Sequence, residues 1–335
     1  MPAPRVTVLT TLYNKGPYVA EALSSVLGSS LADLELLVID DGSTDNGPEL
    51  VKAIGDPRVR FLPHAVNTGR AAAANRGFDA ARGSYIAILD ADDIADRERF
   101  SKQAAFLDAH PDIGAVGSYA RIFGIRDRIA EWPLTDEEAR GVMLFQDPML
   151  YGSAMFRASV IRDHRLRCRE DWRQPGMDYL FLLSVARHTR MANLPEPLTS
   201  YRLGEQNFRH GHDLYAVRER ICREALRTFG IEASPEELEA HLMLEQLLRS
   251  RPTPALIRRL WAWTQRLRMI NRSRHLFPEA PFEARLAADW RRWFYILADR
   301  DIPSALAHLA AEGGNPARRL LYLMKTRLSR ARSHG

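Results

Sequence analysis

Three short apolar runs in the first part of the chain stop abruptly at polar clusters, and helical spacing fills the intervals between them. The runs are Arg5–Thr11 (RVTVLTT), Leu34–Ile39 (LELLVI) and Tyr85–Leu89 (YIAIL), made of residues that suit buried strands. Between them Tyr18–Ser30 sets Val19, Leu23, Val26 and Leu27 at a helical period. A helix around Pro48–Ile54, a strand at Val59–Leu62 and an Ala-rich helix over Gly69–Ala80 complete the series. Strand–helix alternation predicts an α/β fold with a parallel, doubly wound sheet, because parallel neighbours need a crossover that a helix supplies. In such sheets ligands bind at the carboxyl ends of the strands. Thr11-Leu12-Tyr13-Asn14, Asp40-Asp41-Gly42-Ser43-Thr44-Asp45 and Asp90-Ala91-Asp92-Asp93 all sit at those ends.

Further along, the pattern mixes. Ile113–Ile122 and Gly152–Phe156 read as strands, Asp178–His188 as a helix, and Met191–Leu194 as a short strand halted by Pro195 and Pro197. From about Asp213 strand signals vanish, and Tyr215–Phe229, Pro235–Arg249, Pro254–Asn271 and Glu283–Ala298 read as helices, with another near the C-terminus. Charge divides the chain at the same place: residues 1–210 carry 25 basic and 28 acidic side chains, whereas residues 211–335 carry 22 and 14. Two domains are expected, 1–210 and 211–335. With 46% hydrophobic residues and a net charge of +5, the chain is not of the disordered class. Its two cysteines, Cys168 and Cys222, cannot build a disulfide scaffold, which favours a reducing compartment. No apolar run approaches the ~18 residues of a membrane span, and MPAPRVTVLTTLYNKG has no signal-peptide pattern. The expected location is the cytoplasm.

The clusters suggest chemistry. Alternate carboxylates at a strand end, as in Asp90, Asp92 and Asp93, can converge on one hard divalent cation, Mg²⁺ or Mn²⁺, and leave positions open for phosphate oxygens. A solvated acidic turn capping a helix from near Asp96 would use the same residues. Asp41 could accept a hydrogen bond from a nucleobase ring N–H, while Ser43, Thr44 and Asp45 are good helix caps. Tyr13 could stack on a base, with Thr11 supplying a hydroxyl or amide. Asn67-Thr68-Gly69-Arg70 opens the Ala-rich helix, whose N-terminus and Arg70 would suit a diphosphate.

In order and spacing, VTVLTTLYN, LELLVIDDGSTD, NTGRAAAANRG and GSYIAILDADD resemble the family 2 glycosyltransferases of the GT-A fold. The resemblance covers residues 4 to about 203. It implies a GT-A (Rossmann-like) nucleotide-sugar-binding domain over 1–210, with a mainly α-helical extension over 211–335. It also implies that Thr11, Tyr13 and Asp41 hold a uridine-type base and that Asn67 and Arg70 lie in a segment reaching the nucleotide. Asp90 and Asp92 match the DxD pair that handles the ribose and the metal on the diphosphate, with Asp93 beside them. The stretch PGMDYLFLLSVARHTRMANLPEPLTSYR resembles the acceptor side, with Asp178 in the place of the general base. Met177 stands where many relatives carry Glu, and Glu170-Asp171 is a nearby rival for the role.

The resemblance implies an inverting transfer of one sugar, with a UDP-sugar favoured as donor and Mn²⁺ or Mg²⁺ as the cofactor. The acceptor would be a hydroxyl of a glycan or lipid-linked glycan. No QxxRW motif of processive relatives occurs. Tyr201-Arg202 and Glu205–His212 could form a lid over the diphosphate. Two other classes compete: a catalytically silent nucleotide-sugar-binding scaffold, kept open by Met177, and a sugar-phosphate nucleotidylyltransferase, which would carry a Gly-rich signature that TTLYNKG lacks. In the C-terminal region, residues 251–278 hold seven Arg and no acid, and Leu256, Leu260, Trp263, Leu267 and Ile270 form one stripe. The stripe fits either helix packing or peripheral contact with the inner face of a membrane. Aromatics interleave with arginine at 290–295, but no nucleic-acid-binding motif accompanies them.

Overall fold

The structure is a computed structural model that describes residues 3–173, 175–204, 213–245, 247–248, 251–312, 317 and 319–323. The chain forms two compact units, one of residues 1–139 with 147–212, the other of residues 140–146 with 213–335.

The first unit is built on a single sheet. Its strands are β1 (Val6–Leu12), β2 (Leu34–Asp40), β3 (Val59–Pro63), β4 (Tyr85–Ile88), β5 (Ile94–Ala95), β6 (Ile113–Gly124), β7 (Arg128–Ala130), β8 (Met155–Arg157) and β9 (Arg190–Leu203). Helices α1 (Gly16–Leu27), α2 (Gly47–Lys52), α3 (Arg70–Ala80), α4 (Arg99–Ala109), α5 (Asp136–Val142), α6 (Ala158–Asp163) and α7 (Met177–Ala186) connect them. The order is β3-β2-β1-β4-β8-β6-β9-β5, with β7 on β6. β3, β2, β1 and β4 are parallel, as the alternation predicts. Beyond β4 the sheet is mixed, since β8 runs antiparallel to both β4 and β6. β2 is buried along its whole length and β1 nearly so, which is why their sequences read as continuous apolar runs rather than alternating ones.

The strand order decides where a site can lie. From β1 the chain steps outward through α1 and α2 to β3, then returns through α3 to β4 on the other side of β1. The direction of winding reverses between β1 and β4, and a crevice opens beyond their carboxyl ends. α3 packs close to β1 because its inward face is small: Ala71, Ala73, Ala74 and Gly77 are buried. A Cβ at Gly77 would stand 2.2 Å from Leu9 Cδ1.

One strand departs from expectation. β9 does not stop at Leu194 but runs to Leu203 beside β6. Leu194 pairs with Ser118 and Pro197 with the next residue, Tyr119, so Pro195 and Glu196 fall into a bulge where the missing proline N–H costs no ladder bond. The extension carries Tyr201 and Arg202 alongside β6, while Glu205–His212, the rest of the expected lid, lies outside the described residues.

The second unit contains α8 (Leu214–Thr228), α9 (Pro235–Leu244), α10 (Pro254–Arg274), α11 (Glu279–Arg300) and α12 (Ile302–Glu312). α9 starts with a capping box between Ser234 and Glu237, and α8 is capped by Asp213. Leu256, Leu260, Trp263 and Leu267 of α10 are buried, as are Trp290, Trp293 and Phe294 of α11. The apolar stripe is therefore this unit's own core. Among the described residues no helix is long and apolar enough to cross a membrane.

Candidate active site

At the end of β2, Asp41 is 3% exposed and its carboxylate is well occupied. Oδ1 accepts from the Thr68 amide (2.8 Å) and hydroxyl (2.7 Å) and faces His64 Nδ1 (3.1 Å), and Oδ2 accepts from the Gly69 amide (2.9 Å). Asp41 thus fastens the loop that precedes α3. Gly42, at φ +72°, packs so tightly on that loop that a Cβ would stand 2.6 Å from Asn67 N. Asn67 is exposed beside it, and Tyr13 is 45% exposed at the end of β1, its ring available for stacking. Ser43, Thr44 and Asp45 are not the expected cap of α2, whose N-cap is Asn46 with no side-chain cap bond; they serve the preceding turn instead. Ser43 Oγ accepts from Asn14 N (3.0 Å), the Thr44 amide donates to Asn14 Oδ1 (2.8 Å), and Asp45 accepts from Gly16 N (2.7 Å) and Gly47 N (3.0 Å). They pin the turn between β1 and α1, where Asn14 holds a left-handed φ of 51°.

After β4 the acidic turn is held from below. Arg202 donates from its amide to Asp93 Oδ1 and from Nε to the Asp92 carbonyl, both at 2.9 Å, and its guanidinium lies over the rings of Tyr18 and Phe123. Of the Tyr201-Arg202 pair expected as part of a lid, Arg202 forms this clamp, while Tyr201 pairs with Ile122 along β9. Arg99, fully buried, donates to the Ile88 carbonyl (2.6 Å) and to Gln103 (3.2 Å), and Gln103 in turn binds the Ser153 carbonyl (2.8 Å). Burial pulls Arg99 down to about 9, against the attraction of Asp93 and Asp90, so it is still a cation at neutral pH. Burial and the neighbouring Asp90 and Asp92 push Asp93 well above the usual carboxylate range. Asp90 is raised too, first by burial, with Arg70 opposing. Asp92 takes an ion pair from Lys15, Nζ to Oδ2 at 2.6 Å.

These carboxylates fit a divalent cation. Among the described residues Asp93 Oδ2 is buried with no hydrogen-bond partner. A Cβ at Gly152 would stand 3.4 Å from both Asp93 Oδ2 and Asp90 Oδ2, so the absence of a side chain leaves room beside two oxygens. Oxygen donors and crowded negative charge are what Mg²⁺ and Mn²⁺ select.

The segment expected on the acceptor side forms α7. Gly176, at φ +97°, turns the chain into the helix, and Asp178 lies in its first turn with its carboxylate on Tyr179 N (3.0 Å). Arg70 stands between Asp90 and Asp178: burial works against its charge, but the two carboxylates outweigh it and hold the guanidinium above its ordinary value. Thr11, Arg70, Asp90, Tyr151 and Met177 line one small cavity of about 10 Å³, room for about one water. Tyr151, from a single 3₁₀ turn over Tyr151–Ser153, is buried, and its hydroxyl meets the buried Cys168 thiol. Glu170 is turned elsewhere, accepting from Asn75 Nδ2 (2.9 Å), and exposed Asp171 pairs with Arg169. Of the sequence candidates, then, Thr11, Arg70, Asp90 and Asp178 come together, with Asp92 and Asp93 on the adjoining turn. Asp41, Asn67 and Tyr13 cluster at the ends of β1 and β2. Lys15, Arg99 and Tyr151 escape the motif reading. Arg99 and Gln103 show a trace, two polar residues four apart on the apolar face of α4, whereas nothing in the spacing marks Tyr151.

The second unit holds another group of metal-type ligands, Cys222, His241 and Glu245, with atoms all within 4.8 Å of one another. Their hydrogen bonds speak against a cation. Trp263 Nε1 donates to His241 Nδ1 (3.2 Å), which leaves the ring proton on Nε2 facing the Leu144 carbonyl (3.2 Å), and Arg218 pairs with Glu245.

Comparison with known proteins places the chain in a family. Residues 7–164 match the model of the family described as Glycosyl transferase family 2. An uncharacterized glycosyltransferase of Haemophilus influenzae is 32% identical over 236 residues, 66% of this chain and 73% of that protein. The succinoglycan biosynthesis protein ExoO of Rhizobium meliloti is 40% identical over 253 residues, 71% of this chain and 68% of that protein. Among solved structures, S. aureus TarS 1–349 in complex with UDP-GlcNAc superposes with a TM-score of 0.59 at 16% identity, over 86% of this chain and 92% of that one. The mannosyltransferase PcManGT of Pyrobaculum calidifontis, in complex with GDP-Man and Mn²⁺, gives 0.50 at 20% identity, over 95% and 79%. Fold and relatives together define a sugar-transferring enzyme of GT-A architecture. The chain belongs to glycosyl transferase family 2.

Proposed function

We propose that this glycosyltransferase moves one sugar, with inversion, from a nucleotide-sugar to a hydroxyl of a glycan or lipid-linked glycan, and that it depends on a divalent metal. The observation that carries the reading is the meeting of three charged groups from separate segments: Arg70 lies between the carboxylates of Asp90 and Asp178 and feels both, and Arg70 and Asp90 line one small cavity with Met177, the neighbour of Asp178. Asp178 takes the proton of the acceptor hydroxyl. Asp92, with Asp90 and Asp93, would hold Mn²⁺ or Mg²⁺, which offsets the charge that develops on the leaving diphosphate. Arg70 adds a fixed positive charge that the two neighbouring carboxylates keep protonated. Tyr13 stacks on the base, with Thr11 beside it, and Asp41, whose oxygens are taken by Thr68 and Gly69, serves the base indirectly by holding the loop that carries Asn67. The UDP-GlcNAc complex of TarS supports a UDP-sugar as donor, and the name of ExoO supports a polysaccharide product. A cytoplasmic site of action fits a nucleotide-sugar donor. The exposed Arg258, Arg259 and Arg274 of α10 suit peripheral contact with an anionic membrane face.

Calorimetric titration with UDP, dTDP, GDP and CDP, each with Mn²⁺ and with EDTA, tests this function. Metal-dependent binding of one nucleotide, abolished in Asp92→Ala, is the expected result; no binding of any would sink it. Asp178→Asn should keep donor binding and lose ~10²–10⁴-fold in turnover, the share typical of a general base.

A further inference from the structure

Lys15 has no part in the proposed function, yet its position is among the most firmly built in the site. The turn that carries it is fixed by Ser43, Thr44 and Asp45 through the bonds to Asn14 and Gly16. That turn delivers the ammonium across the crevice to Asp92 at 2.6 Å, with 20% of the Lys15 side chain and 9% of the Asp92 side chain exposed. Lys15 also lies near enough to Asp90 to favour its ionised form. A monovalent cation therefore sits on the carboxylate that the proposed function gives to a divalent one.

We propose that Lys15 is an exchangeable counter-ion of the donor site, which holds Asp92 in the free protein and moves to the donor's diphosphate when metal and nucleotide load. Lysine suits both posts. Its charge is a compact point on a flexible four-carbon stem, with no fork that ties it to one carboxylate geometry. Asp92 is shared, so Lys15 opposes metal binding to the free protein. A diphosphate that engages Lys15 releases Asp92, and the two ligands become coupled with equal strength in either order. Sequence alone hides this, because Lys15 and Asp92 are 77 residues apart and meet only through the β1–β4 pairing.

The inference rests on the donor-site reading, and one set of titrations separates the two. Mn²⁺ affinity is measured on the full chain without nucleotide, and UDP affinity at saturating Mn²⁺, for wild type, Lys15→Met, Lys15→Arg and Asp92→Ala. Lys15→Met should bind Mn²⁺ roughly 10-fold tighter and UDP roughly 10-fold weaker, the scale of one charge-assisted hydrogen bond, whereas Lys15→Arg should stay near wild type in Mn²⁺ affinity. Opposite signs for the two ligands are something that loss of folding cannot produce. Unchanged or weakened Mn²⁺ binding in Lys15→Met overturns the inference and leaves the donor site standing. Wild-type Mn²⁺ and UDP binding in Asp92→Ala overturns both.

Discussion

Tyr151 and Tyr85 show what a single hydroxyl does in two settings. The Tyr85 hydroxyl donates to Asp108 and accepts from Arg157, whereas the Tyr151 hydroxyl is buried near Asp90 and Arg70 and meets the Cys168 thiol. Burial pushes the Tyr151 phenol well above its ordinary value and raises the Cys168 thiol to about 12, so both stay neutral. A thiol is a weak hydrogen-bond partner, so the buried phenol gains little through its oxygen to offset the cost of removing it from water. Tyr151→Phe should therefore leave the melting temperature unchanged or raise it, while Tyr85→Phe should lose about 1 kcal/mol, the net worth of an ordinary hydrogen bond. Thermal melts of the two variants side by side make the comparison; a large loss of stability in Tyr151→Phe would mean that the contact with the Cys168 thiol is a strong one.

At the scale of elements, the fit of α3 against β1 sets the depth of the crevice. Gly77 faces Leu9, and a methyl group there would collide with both of its terminal carbons, at 2.2 and 2.6 Å. Leu9 itself lines the small cavity with Arg70 and Asp90, so pressure on Leu9 is pressure on the site. Ala is the better helix former, by ~1 kcal/mol over Gly, but overpacking at a closed contact costs ~1–3 kcal/mol. We expect Gly77→Ala to be net destabilising by about 1 kcal/mol and to weaken donor binding. Gly55, whose would-be Cβ meets nothing within 4 Å, is a control for clash but not for conformation, since its φ is +66°. Denaturant unfolding of Gly77→Ala against wild type decides the sign.

For the molecule as a whole, the pH response is set largely by buried histidines of the helical unit. Burial holds His241 down to about 3, with its Nδ1 already accepting from Trp263, and holds His308, stacked on Trp290, down to about 4. The ordinary value is 6.5, so below it the unfolded chain binds protons that the folded chain refuses. Stability from the neutral rings is complete above pH 6.5 and is lost as the pH falls toward 4 and then 3, by up to ~1.4 kcal/mol per pH unit for each ring. Glu245 and Asp289, whose carboxyls burial pushes up, oppose the loss nearer their own range. Four of the six tryptophans, Trp261, Trp263, Trp290 and Trp293, belong to this unit and two, Trp132 and Trp172, to the first, so urea unfolding followed by tryptophan fluorescence is weighted toward the helical unit. The midpoint should fall between pH 7.5 and pH 5.5. A flat profile would show that the two rings are protonated as readily in the folded protein as in the unfolded chain.

The sequence by itself determined the alternation of strands and helices, the parallel half of the sheet, the strand-end clusters and the helical character of the last third. Each of these is written in local periodicity: continuous apolar runs for strands buried on both faces, i, i+3, i+4 spacing for helices, and turn residues between them. It also marked Asp90, Asp92 and Asp178 through motif order. Tertiary structure alone decided that β8 reverses direction, that β9 passes through Pro195 by a bulge, and that Asp41 spends its oxygens on Thr68 and Gly69. It alone set Lys15 on Asp92, Tyr151 beside Asp90 and Arg99 beneath the acidic turn. Those pairings join residues tens of positions apart, and the free energy that selects them comes from burial and charge among groups that no local spacing connects.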